Sequence, residues 1–83
     1  MMNFTLYGTE GCHLCDEAGA LIMSVATGMQ VAVWQEDIAD SEALFSRYGT
    51  RIPVLKNESS GTELGWPFDA AQLREFLGDA QSD

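Results

Sequence analysis

The sequence predicts a small α/β protein with a four-stranded mixed sheet and helices on both faces. Strand-like segments alternate with segments of helical periodicity in the order β-α-β-α-β-β-α. A helix separates the first two strands, and this arrangement requires a parallel crossover connection. Only a turn cluster at residues 57–61 separates the last two strands, so they are predicted to form an antiparallel hairpin.

The first half of the chain is predicted to fold as strand, helix and strand. Residues 3–7 alternate and are rich in β-favouring side chains, which indicates a strand followed by a loop at residues 8–11. A helix is expected over residues 13–27, and Gly28 is expected to end it. Residues 31–34 are almost continuously apolar, as in a buried parallel strand. The apolar stripe of the helix comprises Leu14, Ala18, Leu21, Ile22 and Val25.

A short second helix and the hairpin strands follow. Asp40 has the side chain to cap a helix that runs through residue 48, and Gly49 is expected to end it. The third strand is predicted to begin with residues 52–55, and residues 62–64 are predicted to return as the fourth. The inner face of the second helix is expected to carry Leu44, Phe45 and Tyr48.

A capping pattern predicts the start of the last helix. Asp69 and Gln72 have capping-box spacing, so a helix is expected to begin at Asp69 and to end at Gly78. Its inward-facing residues are expected to be Leu73, Phe76 and Leu77. Residues 79–83 are predicted to be a short frayed tail. Residues 1–83 are therefore expected to form a single domain.

Composition limits the classes of function. The hydrophobic content of 46% suits an ordinary soluble core, and no apolar run approaches the roughly 18 residues that span a bilayer. The formal charge of -9 argues against nucleic acid and anionic membranes, because both need a basic face, whereas a basic protein partner would suit it. Since the N-terminal residues do not have the pattern of a secretion signal, a cytoplasmic protein is expected, and we expect a monomer.

The two cysteines are the strongest functional signal in the chain. Cys12 and Cys15 lie shortly after the first predicted strand, at the start of the first helix. A helix N-terminus favours a thiolate over a thiol, and a second sulfur one turn into the helix lies within reach of the first. In a chain that is not expected to be exported, such a pair more often cycles or binds metal than acts as a permanent cross-link. The spacing predicts a site for thiol–disulfide exchange.

Position along the helix predicts different roles for the two sulfurs. A free cysteine has a pKa of roughly 8.5, whereas the value falls to about 3.5–7.5 in a Cys-x-x-Cys pair at a helix N-terminus. Cys12 is therefore predicted to attack, and Cys15, expected to be the less exposed, to resolve the mixed disulfide. His13, if charged, would favour the thiolate, although a plain surface histidine fits equally well. Asp16 and Glu17 suit the positive helix end but oppose a thiolate nearby.

Two other interpretations of the pair stay open. The cysteines can be an unreactive core pair or a structural disulfide. They can also serve a non-catalytic binding module or a metal carrier, but zinc prefers four ligands, and the chain offers two cysteines and His13.

The element order and two sequence motifs together resemble a known family. The element order, the Cys-x-x-Cys after the first strand and the Ile-Pro at the third resemble the thioredoxin fold, and the short chain is more similar to its glutaredoxin branch. Gly-Cys-His-Leu-Cys-Asp at residues 11–16 and Tyr-Gly-Thr-Arg-Ile-Pro-Val-Leu at residues 48–55 resemble small bacterial glutaredoxin-like proteins, over residues 4–77. The resemblance implies a thiol–disulfide oxidoreductase that acts on protein or low-molecular-weight disulfides. It implies no organic cofactor, with glutathione as an optional co-substrate and a thiol reductant or a reductase for recycling. In a dimer, it also allows an iron–sulfur cluster bridged by Cys12.

The same resemblance nominates substrate-binding residues around the third strand. A cis peptide bond before Pro53 would place the strand beside the sulfurs and let the Ile52 backbone pair with an extended substrate. The alternative is a trans proline that begins an edge strand. Arg51 would hold a substrate carboxylate or steady the thiolate, or would instead pair on the surface with Asp37 or Asp40.

The remaining aromatic and polar residues carry weaker expectations. Trp66 lies in the loop where glutaredoxins bind the far end of glutathione, and it would form a platform for a partner or cover the core. Tyr7 and Trp34 are expected to pack, and Asp69 is expected to cap its helix, with a ligand contact as the alternative. Glu10 stands where glutaredoxins often carry a basic residue, and the usual proline and aromatic are missing between the cysteines. These departures bear on glutathione binding rather than on thiol chemistry.

Overall fold

A computed structural model of the chain describes residues 2–81. Its elements confirm the predicted order β-α-β-α-β-β-α, with one additional 3-10 turn before the second helix. No helix in this part of the chain is long and apolar enough to cross a membrane. In chain order the elements are β1 (Met2–Gly8), α1 (His13–Ala26), β2 (Val31–Asp37), the 3-10 turn (Ile38–Asp40), α2 (Glu42–Tyr48), β3 (Val54–Asn57), β4 (Glu63–Gly65) and α3 (Ala70–Gln81).

The four strands form one mixed sheet in the order β2-β1-β3-β4. β1 runs parallel to β2 and antiparallel to β3, so Leu6 lies opposite Leu55 in the central pair. β3 and β4 form the predicted antiparallel hairpin, in which Leu55 lies opposite Leu64. The central position of β1 brings the loop after Gly8 next to the start of β3.

Helices cover both faces of the sheet, as predicted. Alternation along β1 sends Phe4 and Leu6 to one face and Tyr7 to the other. The first face packs against α1 and α3, and its buried cluster comprises Phe4, Leu6, Ala18, Ile22, Leu55, Phe68, Leu73 and Leu77. The second face packs against the 3-10 turn and α2, and its buried cluster comprises Tyr7, Ile38, Tyr48 and Val54.

The second strand differs from the prediction. It runs parallel to β1 as predicted, but it continues to Asp37 and lies at an edge of the sheet, so it is not buried as residues 31–34 indicated. The expectation that Trp34 packs is wrong, because 63% of its surface is exposed. Its indole Nε1 donates a long 3.4 Å hydrogen bond to Oδ1 of Asn3. An edge strand has a neighbour on one side only, and α2 covers the other end of this face, around Tyr7.

The start of α2 also differs from the prediction. Asp37 accepts a 2.9 Å hydrogen bond from the backbone of the 3-10 turn, and this turn takes up Asp40 before the helix begins. Ser41 caps α2 instead, because its hydroxyl accepts a 3.3 Å bond from the Leu44 N–H. Tyr48 is buried as expected, but Phe45 is 61% exposed and does not lie on the inner face.

The predicted ends of α1 and the predicted start of α3 are confirmed, whereas one residue of the α1 stripe and the end of α3 differ. Gly28 adopts a positive φ of 85° after α1, as a helix-ending glycine does, but Leu14 is 45% exposed and lies outside the buried stripe. The predicted capping box opens α3: the Gln72 N–H donates to Oδ1 of Asp69 at 2.7 Å, and the Asp69 N–H donates to Oε1 of Gln72 at 3.0 Å. The predicted end at Gly78 is wrong, since the helix continues to residue 81.

The starts of the hairpin strands and the C-terminal residues also differ from the prediction. β3 and β4 begin at Val54 and Glu63, slightly later than the predicted residues 52 and 62. The predicted frayed tail is helical over residues 79–81, and its last two residues lie outside the described part of the chain.

Candidate redox-active site

The two cysteines meet at the junction of β1 and α1, as the sequence predicted. Cys12 is the N-cap of α1, and a disulfide bond joins it to Cys15, with the two Cα atoms 5.2 Å apart. The Cys15 N–H donates a 3.1 Å hydrogen bond to the Cys12 sulfur. A donor that faces a sulfur stabilises negative charge on it, so the first turn of the helix favours the thiolate form of Cys12 when the pair is reduced.

The surroundings distinguish Cys15 from Cys12. Both residues are half-buried, so the structure does not show the predicted lower exposure of Cys15. Cys15 instead lies against the end of β1: a Cβ atom added to Gly8 would come within 3.0 Å of the Cys15 sulfur and 3.2 Å of its Cβ. Sequence reasoning placed Gly8 in a loop and missed this contact, for which a glycine closely preceding the Cys-x-x-Cys pair was the only signal.

The Ile52–Pro53 segment lies at the same end of the sheet. Val54 pairs with Tyr7, so Pro53 lies alongside Gly8, the residue in contact with Cys15. The Ile52–Pro53 peptide bond is cis, and Pro53 is buried. The sheet register thus brings the predicted proline segment and the cysteine pair to the same end of the sheet.

Backbone hydrogen bonds hold this segment on both sides. The Ile52 N–H donates to the Tyr48 carbonyl at 3.1 Å, and the Arg51 N–H donates to the same carbonyl at 2.8 Å. The Trp66 N–H donates to the Pro53 carbonyl at 3.1 Å. Since the Ile52 N–H already donates to the Tyr48 carbonyl, Ile52 can pair with a substrate backbone only through its carbonyl oxygen.

Arg51 pairs with a residue that the sequence did not indicate. Its guanidinium lies 2.9 Å from Oε1 of Glu63, so neither Asp37 nor Asp40 is its partner. The Tyr48 hydroxyl donates a 2.6 Å hydrogen bond to Oε2 of the same carboxylate, and Arg47 lies 3.8 Å from that oxygen. We call Arg47, Tyr48, Arg51 and Glu63 the Glu63 cluster.

The Glu63 cluster has perturbed protonation equilibria. Burial, together with the hydrogen bond to Glu63, raises the pKa of Tyr48 to about 12. The hydrogen bonds from Tyr48 and Arg51 lower the pKa of Glu63 below its usual value. Both arginine guanidinium groups also lie 5.5 Å from the centre of the Tyr48 ring. The carboxylate of Glu63 and the neutral phenol of Tyr48 are the stable forms at neutral pH.

Comparison with known proteins decides the family. The sequence model of the glutaredoxin-like domain (DUF836) matches residues 3–78. The chain belongs to this glutaredoxin-like family. A search of curated proteins finds no match.

Solved structures agree with the family and with the predicted fold. This glutaredoxin-like chain is 43% identical to the protein XcR50 from X. campestris, over 92% of this chain and 96% of that chain, with a TM-score of 0.80. Protein Ne2328 from Nitrosomonas europaea is 28% identical, over 92% and 91% of the two chains, with a TM-score of 0.78. A mutant thioredoxin from Halobacterium salinarum NRC-1 is 21% identical over 94% of this chain and 73% of its own, with a TM-score of 0.73. The thioredoxin-like fold class predicted from the sequence is confirmed.

The structure also shows the neighbours of the other nominated residues of this glutaredoxin-like protein. The His13 side chain is 87% exposed, and its Nε2 lies 3.7 Å from Oε2 of Glu17, four residues along α1. Trp66 is half-buried and lies edge-on to Phe68, with ring centroids 5.1 Å apart, where it packs against the core. Tyr7 is buried and stacks on Tyr48 at 4.3 Å, which confirms that it packs in the core.

An open cavity of about 340 Å³ lies beside the disulfide on the β2 side. Cys15 forms part of its wall, together with residues from the end of β1, the first turn of α1 and the end of β2. Within residues 2–81, no group of three or more His, Cys, Asp and Glu side chains is arranged to hold a metal ion. The sequence did not indicate this cavity, because it forms only where three elements meet.

Proposed function

We propose that this glutaredoxin-like protein is a thiol–disulfide oxidoreductase in which Cys12 is the nucleophile and Cys15 the resolving thiol. The observation that carries the proposal is the 3.1 Å hydrogen bond from the Cys15 N–H to the Cys12 sulfur, within a pair that forms a disulfide. It supports the assignment because the stabilised sulfur is the better attacking thiolate.

The proposed reaction begins with the reduced pair. The Cys12 thiolate attacks one sulfur of a substrate disulfide, forms a Cys12–substrate disulfide and releases the other substrate sulfur as a thiolate that takes up a proton. The Cys15 thiol then loses its proton and attacks the Cys12 sulfur, which releases the second substrate thiol. Two electrons have passed to the substrate, and the Cys12–Cys15 disulfide is the product form of the protein. A thiol reductant or a reductase returns two electrons to it.

The residues around the pair would bind the substrate in this scheme. The carbonyl of Ile52 would pair with an extended substrate backbone at the end of the sheet where Pro53 and the cysteines lie. Arg51 and Trp66 border the same segment, and His13 lies on the solvent side of the first turn. The cycle needs no organic cofactor, and glutathione is one candidate reductant. We propose that the protein works as a cytoplasmic monomer on protein or low-molecular-weight disulfides.

A redox titration in defined glutathione buffers, followed by mass spectrometry, tests the function. We expect the wild-type protein to lose two hydrogens as the internal disulfide forms, and the Cys12→Ser variant to lose all capacity to reduce a mixed disulfide. Colourless protein that carries no stoichiometric metal and turns over a disulfide supports the oxidoreductase. Stoichiometric metal or an iron–sulfur chromophore, together with no disulfide formation at any poise, would support the carrier and overturn the proposal.

A further inference from the structure

The charges around the cysteine pair are distributed unequally. Four carboxylate side chains line the cavity beside Cys15: Glu10, Asp16, Glu36 and Asp37. No Lys, Arg or His side chain lines this cavity in the described part of the chain. The cavity wall therefore combines a redox-active sulfur with a negative rim.

The two arginines of the Glu63 cluster share a single carboxylate. Glu63 contacts Arg51 at 2.9 Å and Arg47 at 3.8 Å, which leaves an excess of one positive charge in the Glu63 cluster. His13 lies 3.7 Å from Glu17. The whole chain carries a formal charge of -9. A substrate that approaches the sulfurs thus meets a negative potential, and the arginines do not offset it.

The charge pattern selects among occupants of the cavity. A second copy of this chain would bring like charge against like charge. Glutathione carries two carboxylates and one ammonium group, so it is also repelled. A polypeptide with lysine or arginine beside its disulfide is attracted, and clefts lined by charge of one sign raise association rates about 10-fold to 1000-fold for oppositely charged ligands.

We infer that the substrates of this site are disulfides in cationic polypeptide segments, which the acidic rim of the cavity orients toward the cysteine pair. The inference rests on the proposed function and names its substrate class. The electron transfer is the one described above, and the cationic side chains take no part in it. They only raise the rate at which a substrate sulfur reaches Cys12.

Three disulfide peptides of equal length test the inference. They carry lysine, glutamine or glutamate beside each cysteine, and the measured quantity is the rate at which the reduced protein forms its internal disulfide. At about 0.01 M salt we expect the lysine peptide to react about 10-fold faster than the glutamate peptide. At about 1 M salt, where the Debye length is about 3 Å, the rates should converge. Equal rates at low salt, or a faster glutamate peptide, would overturn the inference.

Two double variants distinguish the effect of the cavity carboxylates from the effect of the net charge. The Glu10→Gln/Glu36→Gln double variant should lose most of the discrimination between the lysine and glutamate peptides. The Glu58→Gln/Glu75→Gln double variant removes the same charge from exposed residues outside the cavity and should keep the discrimination. An equal loss in both variants would assign the effect to net charge and overturn the role of the rim. If no peptide is reduced at any salt concentration, the uncharged peptide included, the proposed function itself has failed.

Discussion

The hydroxyl group of Tyr48 donates a 2.6 Å hydrogen bond to the carboxylate of Glu63, and this bond joins the end of α2 to the edge strand β4. The segment between these elements carries Ile52 and Pro53. The Tyr48 ring stacks on Tyr7, and the Tyr48 carbonyl accepts the Ile52 N–H. The Glu63 cluster therefore holds the backbone that lies alongside the cysteine pair.

Replacing Glu63 by glutamine tests the stabilising contribution of the cluster. Glu63→Gln removes the negative charge that accepts from Tyr48 and Arg51, and hydrogen bonds to charged groups contribute about 1.5–3 kcal/mol. We expect the free energy of unfolding to fall by about 1–3 kcal/mol, measured by urea denaturation. Glu58→Gln makes the same chemical change on an exposed side chain in the β3–β4 turn and should alter it by less than about 0.5 kcal/mol. Equal effects in the two variants would contradict the prediction.

The contribution of Glu63 to the free energy of unfolding should depend on pH in the acid range. The hydrogen bonds from Tyr48 and Arg51 lower the pKa of Glu63 in the folded state below its usual 4.5, so folding favours the carboxylate. The stability that this provides is complete above about pH 4.5 and is lost as the pH falls through the lower folded value. Urea unfolding of the wild type and Glu63→Gln should differ by a constant amount from pH 7 to about pH 5, and the difference should shrink below that. A difference that grows on acidification would refute this assignment.

Tyr48 should titrate at unusually high pH. Burial, with the Glu63 hydrogen bond, raises the pKa of Tyr48 from 10.0 to about 12, because the neutral phenol is favoured in the folded state. The stability linked to this shift is present below about pH 10 and is lost as the pH rises through about 12. In a titration of phenolate absorbance, Tyr48→Phe should remove the step near pH 12, whereas Tyr7→Phe should retain it. Persistence of that step in Tyr48→Phe would show that another group produces it.

The two cysteines should differ in reactivity when each is left alone. Cys15→Ser keeps the backbone N–H that donates to Cys12, so the remaining thiolate stays stabilised, whereas Cys12→Ser leaves a thiol without that donor. We expect Cys12 in the first variant to be alkylated at pH 7 about 10-fold faster than Cys15 in the second. The first variant should also accumulate a mixed disulfide with substrate, visible by mass spectrometry. Similar alkylation rates and similar trapping would reverse or remove the assigned roles.

The features that the sequence predicts well depend on neighbours close along the chain. Two examples are the hydrogen bond between Cys15 and Cys12 at the start of α1 and the reciprocal bonds of Asp69 and Gln72. Each of these bonds joins residues that are three positions apart, within one helical turn. Their spacing in the chain sets their geometry. The same holds for Gly28, whose positive φ follows from its place at the end of a helix.

The features that the sequence did not predict depend on contacts between distant segments. The sequence offers Asp37 and Asp40 as the acidic partners of a surface Arg51, but Glu63 contacts it instead because β4 returns beside β3. Trp34 and Phe45 have the size of core residues, but α2 leaves the part of the second sheet face around Trp34 uncovered, and Phe45 does not lie on the inner face of α2. Periodicity marks the apolar side of a helix but does not reveal whether another element lies over it.

The capping box of α3 allows a prediction that separates a structural role of Asp69 from a ligand contact. Asp69→Ala removes the acceptor of the Gln72 N–H, and loss of such a cap costs about 0.5–2 kcal/mol. Asp69→Asn keeps a side-chain oxygen at the cap, so its unfolding free energy should fall by much less. Thermal or urea unfolding measures both variants, and the rate of disulfide reduction is followed in parallel. If Asp69 acts only as the cap, the folded Asp69→Ala protein should reduce substrate at the wild-type rate. A reduced rate in both variants, with Asp69→Asn as stable as the wild type, would instead place its carboxylate in contact with the substrate.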